Sequence, residues 1–325
     1  MPQATGLCAF RTGDFDSTRP TKPMRDFSGH IQTQQFIAWL SARIDGSARL
    51  DFKHADGNFA TLSDARDAYQ WPPKRKTVPT PIGDLELEAN ASLTANQRVL
   101  DRLGQGLRDC LAVPAIDEVL LAQWIKAVLV WGGVYTRHRN GGGNAGWLDA
   151  RVQAEDLAVN LRAALATLTD DSVHFDRGPA DLRSNAGLTK VYSLVLDDFI
   201  IYDSRVAAAL AWLVMIWGRE VGGVPDHLKF ACMRARKNNS KGKTSKPMKL
   251  RSPGTEDFPY FSPSVQQRSH WRHAVWNLRA NHVLAEALAQ ACRRRPDLAA
   301  AGFQTVRDVE AALFVMGADL RHALG

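Results

Sequence analysis

From Ser92 onward, apolar residues recur at three- and four-residue spacing, the period that lays one face of an α-helix against a core. "LTANQRVLDRLGQGLRDCL", ending near Val113, and "IDEVLLAQWIKAVLVW", residues 116–131, each predict a helix. "LDARVQAEDLAVNLRAALATL", residues 148–168, predicts one more, with alternating charges on its outer face. Further helices are predicted over 226–236, 265–292 and 305–322. The run "VAAALAWLVMIW", residues 206–217, is apolar on every side and predicts a fully buried helix, being shorter than the ~18 residues of a membrane span. Only "FIIY", residues 199–202, has the composition of a strand.

The first ninety residues lack this regularity. "FIAWLSARI", residues 36–44, looks helical, but the prolines of "WPPKRKTVPTPIG", residues 71–83, exclude a continuing helix and suggest a linker or extended arm. The pattern divides the chain into an irregular N-terminal extension over 1–90, a helical domain over 91–230, a basic loop over 231–256 and C-terminal helices over 257–325. A mainly α fold is predicted, with no internal repeat.

A chain of 325 residues with 45% apolar residues has material for a large core, so disorder is excluded. Its formal charge of +7 and pI near 9.4 favour contact with a polyanion. Cys8, Cys110, Cys232 and Cys292 are far apart and form no C-x-x-C pair, so neither a zinc site nor a disulfide framework is signalled and a reducing cytoplasm is expected. The opening "MPQATGLCAFRTGDF" has no basic segment followed by an apolar one, so a secretory signal is not expected.

The chemistry concentrates in "GLTKVYSLVLDDFIIYDSRVAAAL". Gly187 is expected to supply a turn with positive φ, after which Thr189 and Lys190 begin a short helix that ends at Asp197 and Asp198. Asp203 stands where an N-capping carboxylate belongs, directly before Ser204, Arg205 and the apolar run. Capping amides and the helix dipole keep such a carboxylate ionised. Lysine at a helix N-terminus, partly desolvated, is disposed to lose its proton and act as a nucleophile. From spacing alone, two readings stay open: a solvated lysine with a structural cap, or a nucleophile beside a charge-stabilising carboxylate.

"GLTKVYS" resembles the hairpin-to-helix junction of the helix-hairpin-helix DNA glycosylases, especially the 8-oxoguanine DNA glycosylases, where a turn written GVGTKV delivers the catalytic lysine. "YDSRVAAAL" is similar to the following segment, in which an aspartate caps the next helix. "EAALFVMGADLR", residues 310–321, resembles the last helix of those enzymes. The resemblance implies a two-lobed helical fold with a helix-hairpin-helix-like element and a DNA-binding cleft, in a divergent bacterial branch. It makes Lys190 the nucleophile on the sugar C1′, Asp203 the stabiliser of the oxocarbenium-like charge, Phe314 the platform for the extruded base and Glu310 the reader of its edge. Gly187, Thr189 and Arg205 fall near the DNA backbone in this scheme. Of the turn glycines only Gly187 is retained, and Glu310 replaces an amide. A carboxylate there would accept the N1–H and N2 amine of guanine, so a damaged or modified purine of guanine type is the expected substrate, released by base excision with lyase activity.

Outside that stretch, "RARKNNSKGKTSKPMKLRSPG" carries Arg234, Arg236, Lys237, Lys241, Lys243, Lys246, Lys249 and Arg251 with no acid, a cationic loop suited to phosphates. "RHRNGGGNAGW" lacks the lysine and hydroxyl residue of a P-loop and is expected to be a hinge, with His138 and Asn144 as candidate wedges into a duplex. His270, His273 and His282 do not repeat at ligand spacing, so no metal site is expected. Together these features lead us to expect a monomer acting on double-stranded DNA, with no cofactor and no membrane contact.

Overall fold

The computed structural model describes residues 22–55, 57–134, 143–169, 178–233, 249–254, 258–261 and 267–324. Its elements run in the order α1 (Lys22–Gly29), α2 (Ile31–Ile44), β1 (Phe52–His54), β2 (Gly57–Phe59), α3 (Leu62–Asp67), β3 (Lys76–Val78), β4 (Leu85–Leu87), α4 (Leu93–Ala112), α5 (Glu118–Trp131), α6 (Gly143–Gln153), α7 (Leu157–Thr169), α8 (Leu188–Val195), α9 (Ser204–Val221), α10 (Gln267–Arg294) and α11 (Val306–Met316). The mainly helical expectation holds. The strands form two antiparallel ribbons, β1 with β2 and β3 with β4. No helix among the described residues is long and apolar enough to cross a membrane.

The helices pack in two groups. In one, α2 and α11 lie against α10, α11 also packs on α3 and α9, and α1 covers α2 and α10. In the other, α5 is central, touched by α4, α6, α7 and α8, with α4 also against α8. The apolar run predicted to be fully buried is α9, whose residues from Val206 to Val214 are all buried. The chain passes from the second group to the first between α8 and α9.

Four expectations change here. Residues 22–90 are not an irregular arm: Phe27, Phe36, Ile37, Leu40, Phe52 and Leu62 are buried in the same core as α9 and α10, and burial of such side chains supplies the free energy that orders the segment. The proline-rich stretch instead contributes β3 to a ribbon. The single helix predicted over 148–168 is two, α6 and α7, because Glu155 adopts φ 53° and turns the chain between them. The helix predicted over 226–236 is, among its described residues, only a 3₁₀ turn at Asp226–Leu228.

"FIIY" is extended and buried yet joins no strand. Its amides are satisfied by side chains instead: Ile200 N–H donates to Asn281 Oδ1 at 2.9 Å, and Ile201 N–H donates to Glu310 Oε2 at 2.7 Å. A buried backbone must find partners wherever they are, and here α10 and α11 provide them.

Candidate active site

Asn185 organises the turn into α8. Its Oδ1 accepts from Gly187 N–H at 2.8 Å and Leu188 N–H at 3.1 Å, so it caps the helix from three residues upstream of Leu188. Gly187 itself has φ −82°, not the positive value expected. Its glycine is required by space: a Cβ there would stand 2.4 Å from Asn144 Nδ2. Asn144 is buried on α6 and exchanges hydrogen bonds with Asn185, with its Oδ1 accepting at 3.0 Å. A side chain held inside the fold in this way is not a wedge for a duplex. Thr189 is also fully buried, its hydroxyl without a hydrogen-bond partner among the described residues, so its side chain is not presented to a DNA backbone.

In the first turn of α8, Lys190 is 6% exposed. Its Nζ donates to the Ala186 carbonyl at 2.8 Å and lies 3.6 Å from Asp203 Oδ2. Asp203 caps α9 as predicted, its Oδ1 accepting from Arg205 N–H at 2.9 Å and Val206 N–H at 3.2 Å. The two carboxylate oxygens thus have separate tasks, one fixed by the helix amides and one turned to the lysine. Burial works against the charge of Asp203, but Lys190, the capping amides and the Arg205 guanidinium outweigh it and hold the carboxyl below the usual aspartate range. Since α8 belongs to one helix group and α9 to the other, the pair sits where the groups meet.

Further contacts tie the same junction. Arg307 donates to Glu310 through Nη1 at 2.8 Å and to the Ser193 carbonyl of α8 through Nη2 at 3.2 Å. Ser184 Oγ lies 2.9 Å from His273 Nδ1, and the Ser184 carbonyl is bonded to His270 Nδ1 at 2.7 Å. Burial, with help from His270, pushes His273 down to about 3, so this ring is neutral behind the lysine and aspartate.

Glu310 is buried with its carboxylate shared between Arg307 and the Ile201 amide. Burial pushes its carboxyl up, against the pull of Arg307 and Ile201. In this arrangement it holds the chain leading into Asp203. Phe314 is half-buried, with the Arg205 guanidinium 4.1 Å from its ring centroid, Trp71 edge-on at 5.7 Å and Tyr69 at 5.4 Å. Arg205 also lies over Trp71 at 5.4 Å. The aromatic wall beside the pair is therefore Phe314, Trp71 and Tyr69, two of which come from the segment taken for a linker or arm.

Lys249 is exposed and Arg251 half-buried, and both approach Arg205. His138, Arg234, Arg236, Lys237, Lys241, Lys243 and Lys246 lie outside the described residues. Among the described residues no group of three or more His, Cys, Asp or Glu side chains is placed to hold a metal ion. Besides the aromatics, the sequence reading missed Asn185, and also Arg307 and His273, whose bonds to Ser193 and Ser184 join positions distant along the chain. Asn185 alone had a local signal, an Asx residue two positions before the N-cap Gly187. No protein-family model, no curated protein and no solved structure matches this chain.

Proposed function

We propose that the chain is a DNA glycosylase with AP-lyase activity, excising a damaged or modified purine of guanine type from duplex DNA. One observation carries the reading: Lys190 and Asp203, from different helix groups, stand 3.6 Å apart, with the other aspartate oxygen fixed by the α9 amides. An amine nucleophile and a fixed carboxylate are the two groups that displacement at a sugar C1′ requires.

In this mechanism the Lys190 amine attacks C1′ and gives up a proton to Asp203, which passes it to the departing base. The C1′–N bond breaks, its electron pair leaves with the base, and the base is protonated as it departs. Asp203 stabilises the positive charge that develops on the sugar ring. Ring opening to the imine then gives a Schiff base, from which β-elimination cleaves the 3′ phosphate ester. A target base must be extruded from the stack to reach the pair, and on this reading it would stack on Phe314 in exchange for the Arg205 guanidinium that now lies over that ring.

The two contacts of Lys190, to Ala186 and Asp203, are also those of a structural ion pair, which favours a second reading: a nucleic-acid-binding protein of this fold without turnover. Borohydride trapping on duplexes carrying 8-oxoguanine, an abasic site or other modified bases separates the two. A covalent protein–DNA product that disappears in Lys190→Gln, with DNA affinity kept, is expected. Tight binding with neither trapped product nor base release on any duplex would leave the non-catalytic reading.

A further inference from the structure

Around the Lys190–Asp203 pair, positive charge exceeds negative. Among the described residues Lys190, Arg205, Lys249, Arg251 and Arg321 stand against Asp203 and Asp319, while Glu310 is matched by Arg307. The two aspartates are already committed. Asp203 serves Lys190 and the α9 amides. Asp319 accepts from Arg321 Nε at 2.9 Å and from Leu250 N–H at 3.1 Å.

The segment bearing Arg251 is held in place by backbone. Leu250 N–H bonds to Asp319, and Leu320 N–H donates to the Leu250 carbonyl at 3.1 Å, which pins residues 249–251 beside the end of α11. Because α11 packs on α9, Arg251 comes to rest near Arg205 and Asp203. There its Nε and Nη1 are buried with no hydrogen-bond partner among the described residues. The Arg205 guanidinium is spent on the faces of Phe314 and Trp71. Burial, and then Arg205, push the Arg251 guanidinium down to about 10, so it remains a cation at neutral pH.

Buried guanidinium nitrogens without acceptors are costly, because desolvation is uncompensated. Of these, Nη1 with its neighbour Nη2 forms the end-on fork of a guanidinium, which matches two oxygens of a phosphate. We propose that Arg251, with Arg205 and Lys249 beside it, forms a phosphate-binding subsite adjoining Lys190 and Asp203. Assigning the phosphate to a nucleic-acid backbone rests on the function proposed above; the existence of the subsite does not. On that reading the subsite grips the phosphodiester next to the extruded nucleotide and sets C1′ against Lys190.

The test is thermal unfolding of the full chain in inorganic phosphate or in dimethyl phosphate, each compared with chloride at equal ionic strength. Wild type should melt about 1–3 °C higher in at least one phosphate, as a ligand of the folded state demands. A shift with dimethyl phosphate identifies the backbone diester, and a shift with inorganic phosphate alone identifies a free or terminal phosphate. Arg251→Gln should lose the shift, yet melt no lower than wild type in chloride, because it no longer buries an unpaired charge. A wild type indifferent to both phosphates overturns the proposal. So does a shift that survives in Arg251→Gln, or an Arg251→Gln chain that melts well below wild type in chloride, which would make Arg251 structural. If that variant does not fold, Arg251→Lys replaces it, with about tenfold weaker phosphate binding expected from loss of the fork and unchanged binding as the contrary result. Since no reading here uses turnover, an anion site without trapping, or trapping without an anion site, tells the two proposals apart.

Discussion

Asp203 does two things with two oxygens, and a substitution can separate them. Asn is as good an N-cap as Asp, so Asp203→Asn keeps an acceptor for the Arg205 and Val206 amides while removing the charge beside Lys190. Its stability should fall by less than about 2 kcal/mol, whereas single-turnover base release should drop by roughly 10²–10⁴. Denaturant melts and rapid-quench assays on one preparation check both, and a variant with near-normal release would remove Asp203 from the chemistry. His273 makes a separate prediction at this scale. Its folded pKa, depressed by burial to about 3, lies below the unfolded value near 6.5, so between those limits the unfolded chain binds a proton that the folded chain does not. Stability should therefore fall as pH drops from about 6.5, with His273 contributing about 1.4 kcal/mol per pH unit. Urea midpoints at several pH values, for wild type and His273→Gln, test whether the slope eases in the variant.

Between elements, the approach of α5 to α8 sets where the lysine points. Gly132 closes α5 with an ordinary helical φ of −68°, so alanine suits its backbone. A Cβ there would nevertheless lie 2.4 Å from Lys190 Cδ and 2.5 Å from its Cε. Gly132→Ala should push the amine off its line to Asp203, costing about 1–3 kcal/mol as overpacking and abolishing trapping. A variant that traps at the wild-type rate would show that the lysine stem has room to move. The same scale explains the buried "FIIY" segment: its alternatives, a ladder or side-chain acceptors, look identical in sequence, and the choice was made by Asn281 and Glu310 on distant helices.

For the whole molecule, the net charge of +7 predicts salt-sensitive DNA binding. Each phosphate contact contributes about 0.9 to the slope of log affinity against log salt. Replacing Lys241, Lys243 and Lys246 by Gln should lower that slope by about 2–3 units, with little sequence dependence. Filter-binding titrations across salt concentrations measure this, and an unchanged slope would mean that the loop meets no phosphates.

Period and composition sufficed for the mainly helical class, for α4, α5, α10 and the buried α9, and for Asp203 as its cap, because helix periodicity and capping are local effects. Two neighbours in sequence, Lys190 and Asp203, could be singled out by residue type and order. Their 3.6 Å separation was not legible, since it depends on how two helix groups meet. Nor was the packing of residues 22–90 into the core, or the joining of Trp71 and Tyr69 to Phe314, where apolar side chains from an irregular segment find partners hundreds of positions away. Asn144, a candidate wedge in a glycine-rich hinge, is instead buried and held by Asn185 of the turn into α8. Sequence by itself determined which segments become helices and which residues could do chemistry. Tertiary structure alone decided which of them are buried, which oxygen faces which nitrogen, and where charge is left unpaired, because burial and long-range hydrogen bonding are properties of the packed chain.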